Sequence, residues 1–282
     1  MLRQKWGSVV CPGCNNLVGV QDDRCMTCGR WNPGMWGFGP ALTRLGRDLG
    51  FTPFIITVCI FLYGATLLFD RAGIQTSGIL NMLSPAKESL FVFGASGAVP
   101  IFGYGRWWTV LTAGWLHGGV LHILFNMMAV RNVAPIVVDF YGASRTAIIY
   151  IFSGITGFAA SSLIWAYGPR LPFLSGARLT VGASAAIAGL IGAIYFYGRR
   201  TGHRHAGDQA KQWIFYLLIF GFVVQGIDNW AHIGGLAGGY LCAKILDPLY
   251  PERIDHLLIA LGLLIATAIA FAVSITQGLR LL

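Results

Sequence analysis

Apolar stretches separated by short polar segments follow one another along most of this 282-residue chain, and they predict membrane-spanning helices. Seven stretches are long and apolar enough to be membrane spans: residues 52–69, 119–138, 146–167, 181–198, 212–227, 230–246 and 257–277. The first is expected to begin with Thr52 as its N-cap and Pro53 as its first helical residue. Residues 70–118 are predicted to form a structured loop and residues 199–211 a short polar one. The predicted fold class is an all-α polytopic membrane protein.

Composition and charge agree with this class. Hydrophobic residues make up 55% of the chain, charged residues make up 11%, and the mean hydropathy is +0.64. The net charge of +9 is spread over the ends and loops of the apolar stretches, which favours a role in membrane topology over nucleic-acid binding. Glycine is abundant, with 38 residues, and in apolar helices it permits close packing of backbones.

The distribution of positive charge predicts the orientation. With the N-terminus inside, thirteen Lys and Arg residues fall in inner segments and six in outer ones. Residues 1–50 carry charges and cysteines where a secretory signal would have an apolar region. We therefore expect an integral multi-pass protein of a prokaryotic cell (inner) membrane, with a cytosolic N-terminus. The second, fourth and sixth spans would then enter the bilayer from the outer side.

Polar side chains occur near the start of these three spans, where an unpaired polar group is costly and therefore often functional. His122 and Asn126 are four residues apart, so they share one helix face. Ser184 opens the fourth span and His232 the sixth, and both lie among glycines and alanines. Such helices can approach closely enough for a histidine to act as the base of a serine nucleophile. Each residue alone is also compatible with hydrogen bonding between helices or with ordinary packing.

The N-terminal segment carries two Cys-x-x-Cys pairs, Cys11 with Cys14 and Cys25 with Cys28, ten residues apart. This spacing predicts a tetrahedral structural zinc site. Redox chemistry and a four-thiolate iron site are the alternatives. A segment of fewer than forty residues buries little core, so a metal would supply folding energy. Cys59 and Cys242 lie in apolar spans and are expected to be packing residues.

The chain resembles the rhomboid family of intramembrane serine proteases over roughly residues 51–275. The motifs that carry the resemblance are Trp-Leu-His-Gly-Gly at 115–119, His-x-x-x-Asn at 122–126, Gly-x-Ser at 182–184 and Ala-His-x-Gly-Gly at 231–235. The resemblance implies that Ser184 is the nucleophile and His232 the general base. His122 and Asn126, with the Ser184 backbone N–H, would form the oxyanion hole. Phe125 would be a substrate gate.

The resemblance also implies the architecture and the partners. We expect a cytosolic zinc-ribbon-like module at 1–37, a linker at 38–50, a six-helix rhomboid protease core at 51–255, and a seventh transmembrane helix and tail at 256–282. The implied substrates are single-pass transmembrane proteins in the lipid bilayer, cut near the outer membrane face without a cofactor for catalysis and without nucleic acid. Zinc is expected only in the module.

Other interpretations remain at this point. The family's usual glycine after the nucleophile is replaced by Ala185, and Ala188 stands where many members have an aromatic residue. These departures leave room for a catalytically inactive rhomboid-like protein that binds or escorts membrane proteins. A small-solute transporter is a weaker alternative, because neither internal repeats nor charge pairs within spans are evident. Ser96, in the only literal Gly-x-Ser-Gly, is interpreted as a loop residue and Asp228 as a helix cap.

Overall fold

A computed structural model describes residues 3–14, 16–39, 48–76, 78, 82–169, 175–224 and 226–281. Most of the predicted linker at 38–50 therefore lies outside the described residues. The N-terminal segment forms an antiparallel hairpin of β1 (Ser8–Val10) and β2 (Leu17–Gly19), with Val9 opposite Val18. A single 3₁₀ turn follows at Met35–Gly37. Two valines of the hairpin pack on the buried cysteines, so the module's small core is built around its thiols.

Most of the rest of the described chain is helical. The helices are α1 (Phe51–Phe69), α2 (Lys87–Phe93), α3 (Thr109–Thr112), α4 (Val120–Tyr141), α5 (Ala143–Tyr167), α6 (Ser184–Thr201), α7 (Arg204–Val223), α8 (Asn229–Ile245) and α9 (Ile254–Leu281). Seven of those described have 17 or more residues, one for each predicted span. By length and composition, α1, α4, α5 and α9 are candidate membrane spans. The predicted all-α membrane fold is confirmed.

Two helix starts differ from the sequence prediction. Helix α1 begins at Phe51, and the Asp48 carboxylate accepts hydrogen bonds from the backbone N–H groups of Gly50 (3.0 Å) and Thr52 (2.8 Å). The prediction of Thr52 as N-cap is therefore wrong. Helix α7 begins at Arg204 within the predicted polar loop, because the His203 ring caps it and polar residues form a helix as readily as apolar ones there.

The predicted structured loop before α4 contains several short elements. These are α2, a π-helical turn (Val99–Gly103), α3 and a 3₁₀ turn (Ala113–Trp115). We call the bundle end that carries this segment the loop end. The opposite end, where Gly142 joins α4 to α5, is called the module end.

Helices α5, α6 and α8 pack closely because small residues line their contacts. A Cβ added at Gly157 of α5 would lie 2.8 Å from the Ala185 Cβ of α6 and 3.3 Å from the Gly235 nitrogen of α8. A Cβ added at Gly189 or Gly239 would overlap atoms of the facing helix. In a bilayer, where no hydrophobic force drives helices together, this close approach provides the van der Waals contact that associates them.

Buried polar groups hold the module end together. Arg145 of α5 donates from Nη1 to the carbonyl oxygens of Leu246 (3.0 Å) and Tyr250 (2.8 Å). The Glu252 carboxylate accepts from the backbone N–H of Ser144 (2.7 Å) and that of Arg145 (3.1 Å). Arg30 of the module lies 3.8 Å from the same carboxylate and donates to the Glu252 carbonyl. The cysteine module is thus docked on the segment that precedes α9.

Candidate active site

The site is centred on Ser184, the first residue of α6, and His232, in the first turn of α8. Their Oγ and Nε2 atoms lie 2.9 Å apart, so the hydroxyl can donate to the ring nitrogen. His232 is 4% exposed, whereas Ser184 is half-buried. A serine in hydrogen-bond reach of a buried imidazole is the arrangement that nucleophilic catalysis requires.

The two side chains lie close together because each is at the start of a helix and the two helices begin at the same end of the bundle. Both α6 and α8 begin at the loop end, and α8 approaches α6 so closely that a Cβ at Gly235 would lie 2.8 Å from the Ala185 carbonyl carbon. Because Ser184 is the first residue of its helix, its backbone N–H has no intrahelical acceptor and lies at the positive end of the helix dipole. The site therefore combines a polarised N–H with the serine–histidine pair.

His122 of α4 faces the segment just before Ser184. Its Nδ1 accepts a hydrogen bond from the Gly118 backbone N–H at 3.3 Å. In a neutral imidazole the other nitrogen then carries the proton, so His122 presents an Nε2–H donor. A Cβ added at Gly182 would lie 2.6 Å from that Nε2 and 3.8 Å from the Ser184 Oγ. The space left by the missing side chain at Gly182 thus separates the donor from the nucleophile.

Asn126 lies one turn after His122 and is 5% exposed. Its Nδ2 donates to the His122 carbonyl at 2.8 Å, and a side-chain amide has a second N–H available. Phe125, between them in sequence, is 56% exposed and lies on the surface of α4. His122, Ser184 and His232 therefore share one region, with Asn126 bonded to the His122 carbonyl.

Asp228 does not orient His232. Its carboxylate accepts from the Ala231 backbone N–H (3.0 Å) and from the Ser161 hydroxyl (2.6 Å), so it caps α8 as the sequence indicated. Among the described atoms, His232 Nδ1 has no hydrogen-bond partner. Ala188, four residues after Ser184, is fully buried in α6 and has no ring to stack on His232. The position of the His232 ring is set by helix packing and by its hydrogen bond to Ser184.

Ser96, in the literal Gly-x-Ser-Gly, lies in the loop after α2 and is fully buried. Its hydroxyl oxygen accepts a hydrogen bond from the Thr109 hydroxyl at 3.2 Å, and its backbone pairs with that of Thr180. His117 is also fully buried, and its ring contacts the His122 ring edge-on with centroids 5.2 Å apart. Both residues support the wall of the site.

The four cysteines of the module form a compact cluster. Their sulfur atoms all lie within 4.8 Å of one another, with Cys11 to Cys28 at 3.7 Å and Cys14 to Cys25 at 3.6 Å. A tetrahedral zinc ion with Zn–S bonds of about 2.3 Å requires sulfur atoms about 3.8 Å apart. The donor set and its spacing therefore fit a structural zinc ion.

Two of these thiols have shifted pKa values. A hydrogen bond from the Cys28 backbone N–H lowers the pKa of Cys25 to about 6, whereas burial raises the pKa of Cys28 to about 12. Burial also raises the pKa of Cys11. A cation that binds all four as thiolates must displace protons from the raised groups, so binding would release protons.

Two contributors to the site were not identified from the sequence. Gly118 acts through its backbone N–H on His122, and no side chain signals that role. Ser161 of α5 holds both Asp228 and the Ala177 backbone N–H (2.9 Å), which fixes the start of α8. Its position in an apolar helix was the available signal, but serine is common there as packing material.

Comparison with known proteins finds a family model and several related proteins that agree with it. The family model for the rhomboid domain matches residues 104–248. The chain is 35% identical to the rhomboid protease GluP of Bacillus subtilis over 195 residues, which is 68% of this chain and 36% of that protein. It is 33% identical to RHOMBOID-like protein 7 of Arabidopsis thaliana, over 58% of this chain and 51% of that protein. It is also 33% identical to the putative rhomboid protease YdcA of Bacillus subtilis, over 49% of this chain and 66% of that protein. The matched part of the chain thus spans between about a third and two thirds of these relatives.

Proposed function

The chain belongs to the rhomboid family, and from that premise we propose that it is a serine endopeptidase that hydrolyses peptide bonds of transmembrane proteins. Ser184 is the nucleophile and His232 the general base. The observation that carries the proposal is the 2.9 Å contact between the Ser184 hydroxyl and the His232 ring nitrogen. Two relatives, GluP and YdcA of Bacillus subtilis, are named as a rhomboid protease and a putative one, which supports the same reaction class.

The reaction follows the order that the dyad geometry allows. Ser184 Oγ attacks the scissile carbonyl carbon while His232 Nε2 accepts the hydroxyl proton. The tetrahedral intermediate collapses to an acyl-enzyme, and His232 returns that proton to the leaving amine. A water molecule then attacks the ester, again with His232 as base, and the carboxylate product leaves. No metal ion and no cofactor enters these steps.

The negative charge that develops on the substrate oxygen needs hydrogen-bond donors. We assign this role to His122 Nε2–H, to the second N–H of Asn126 and to the Ser184 backbone N–H. The Gly118 bond to His122 Nδ1 supports this, because it keeps the proton on Nε2. Loss of one such donor typically costs a factor of about 10²–10³ in rate.

Substrate access and topology complete the proposal. Phe125, exposed on α4, would contact the incoming segment as a gate. A single-pass membrane protein would be cut near the outer face of a prokaryotic cell membrane, with this chain's N-terminus in the cytosol. The proposed units are a zinc-ribbon-like module at 1–37, a linker at 38–50, a protease core at 51–255 and a final span with its tail at 256–282. Cys11, Cys14, Cys25 and Cys28 would hold a structural zinc ion.

The first test is labelling with a fluorophosphonate, which needs no substrate. Full-length protein in detergent is compared with Ser184→Ala, His232→Ala and, as a matched serine control, Ser96→Ala. We expect the wild type to label, Ser96→Ala to label within about tenfold of it because only the Thr109 contact is lost, and the other two to lose labelling by at least about 100-fold. A purified transmembrane substrate in liposomes then gives the cleavage site.

Absence of labelling in the folded wild type, under conditions in which an active rhomboid protease labels, would refute the enzymatic proposal. The catalytically inactive binding protein would then be the better account. Labelling that persists in Ser184→Ala but disappears in Ser96→Ala would assign the nucleophile to the loop instead.

A further inference from the structure

Helix α9 contacts the loop end of the bundle through buried polar groups as well as through apolar packing. Ser274, which is fully buried, accepts two hydrogen bonds there. Its carbonyl oxygen accepts from Arg106 Nη2 at 2.8 Å, and its hydroxyl accepts from Trp108 Nε1 at 3.1 Å. Four residues later, a Cβ at Gly278 would lie 2.6 Å from the Val92 Cα, so α9 touches the backbone of α2.

Arg106 is fully buried and connects three parts of the chain. Besides Ser274, it donates from Nη1 to the Phe91 carbonyl at 2.7 Å, and its guanidinium lies 4.3 Å from the centre of the Phe91 ring. A charged donor buried in this way is stabilised only if its acceptors stay in place. The acceptor on α9 is therefore part of what holds Arg106, and Arg106 holds the loop.

From this loop a ladder of hydrogen bonds, the first between two hydroxyl groups and the others between backbone groups, leads to the residues before Ser184. Thr109 donates its hydroxyl to the Ser96 hydroxyl at 3.2 Å. Ser96 exchanges two backbone bonds with Thr180, of 3.1 and 2.8 Å. The Gly182 N–H then donates to the Ala113 carbonyl at 3.0 Å, only two residues before Ser184.

We propose that α9 positions the catalytic serine, with Ser274 acting as a positioning residue through Arg106 and Trp108. The seventh span then contributes to the position of Ser184, and the six-helix core does not fix that position by itself. Shifting α9 outward would release Arg106 and Trp108 together, loosen the Ser96–Thr180 ladder and move Gly182 relative to His122. The inference rests on the proposed hydrolase function for its kinetic readout only.

The test displaces α9 relative to α2 without substituting any residue of the loop or the site. Gly278→Leu places a side chain against the Val92 backbone and wedges α9 away from α2. Gly262→Leu is the matched control, because it lies on the same helix and an added Cβ meets no atom within 4 Å. Both variants are made in the full chain and purified in lipid nanodiscs.

Two readouts are compared between these variants. The first is amide hydrogen exchange at residues 94–98 and 177–182, which reports the ladder directly and needs no enzymatic activity. The second is the rate constant for fluorophosphonate labelling of Ser184. We expect Gly278→Leu to speed exchange at the ladder about tenfold and to slow labelling about tenfold or more, with less than a twofold change in Gly262→Leu.

Equal exchange and equal labelling in the two variants would overturn the proposal. Faster ladder exchange in Gly278→Leu would support the structural link even if wild-type protein never labels, a result that would refute the hydrolase function instead. If Gly278→Leu does not fold, the smaller changes Trp108→Phe and Ser274→Ala replace it. Each substitution removes one partner of the same hydrogen bond, between Trp108 Nε1 and Ser274 Oγ. We therefore expect the double variant to label no slower than the slower of the two single variants. Additive losses of labelling rate would overturn the proposal.

Discussion

The dyad depends on an unusually close approach of α8 to α6, and Gly235→Ala tests that dependence. A Cβ at position 235 would lie 2.8 Å from the Ala185 carbonyl carbon and 3.1 Å from its Cα, and it would overlap the carbonyl oxygen. Carbon atoms in favourable contact are about 3.5–4.0 Å apart. Neither neighbour is a flexible side chain, so the two backbones must separate by roughly 1 Å, the amount needed to restore ordinary contact distances.

The consequence for the reaction is larger than the consequence for folding. A separation of roughly 1 Å would stretch the 2.9 Å bond between Ser184 and His232 beyond hydrogen-bond range. A displacement of that size costs about 100-fold in rate. For stability, alanine gains about 1 kcal/mol of helix propensity over glycine, and overpacking costs about 1–3 kcal/mol. The net loss of about 0–2 kcal/mol leaves the protein folded.

The matched control is Gly64→Ala in α1, where an added Cβ meets no atom within 4 Å. It provides the same gain in helix propensity without the collision. We would measure the rate constant of fluorophosphonate labelling and the thermal unfolding temperature for both variants. Wild-type labelling in Gly235→Ala would refute the reasoning, because the contact between α8 and α6 would then not set the dyad distance.

Three further predictions follow from other contacts. Gly182→Ala should slow labelling about 100-fold, because its Cβ would block the His122 donor. Gly202→Ala, also at positive φ but in open space, should cost only about 1 kcal/mol of stability, and equal labelling in the two variants would contradict the prediction. Elemental analysis should find one zinc ion per chain in the wild type and none in Cys28→Ser. Because protons compete with zinc for the thiolates and the pKa of Cys28 is raised, zinc should dissociate from the wild type as pH falls. A pH-independent zinc content would argue against thiolate ligation. Glu252→Gln removes the negative charge that faces Arg30 and that accepts hydrogen bonds from two N–H groups of α5. The unfolding free energy of the variant should be lower by about 1–3 kcal/mol. An unchanged unfolding temperature would show that this carboxylate is not needed for docking.

Much of the fold could be predicted from the sequence because a bilayer imposes a strong pattern. Apolar length alone located the seven helices, and the positions of Ser184, His122 and His232 near helix starts pointed to one face. The predicted start of the fifth span at residue 212 was wrong, and the helix begins at Arg204, because polarity marks exposure to water and does not by itself end a helix. The cap at Thr52 was wrong because the helix begins earlier, at Phe51, where the Asp48 carboxylate accepts the Thr52 N–H.

The remaining features depend on three-dimensional approach. The 2.9 Å contact in the dyad requires the crossing of two helices, which no local pattern specifies. The Gly118 bond that fixes the His122 tautomer comes from the backbone and is invisible in side-chain spacing. The bond from Arg106 to Ser274 joins residues 168 positions apart. Because no local pattern joins positions so far apart, the partner of Arg106 could not be found from the sequence.

Helix α9 runs from the module end to the loop end as one uninterrupted element without proline. Its first turn follows directly after Glu252, which contacts the cysteine module, and Ser274 near its other end holds the active-site loop. The 20 residues between Ile254 and Ser274 correspond to about 30 Å of helix axis. Because a helix is stiff along its axis, a shift of the docked module by a fraction of an ångström is carried to Ser274 without an intervening hinge. With the proposed function and topology, a single helix thereby connects the cysteine module on one side of the membrane to the proposed active site near the other.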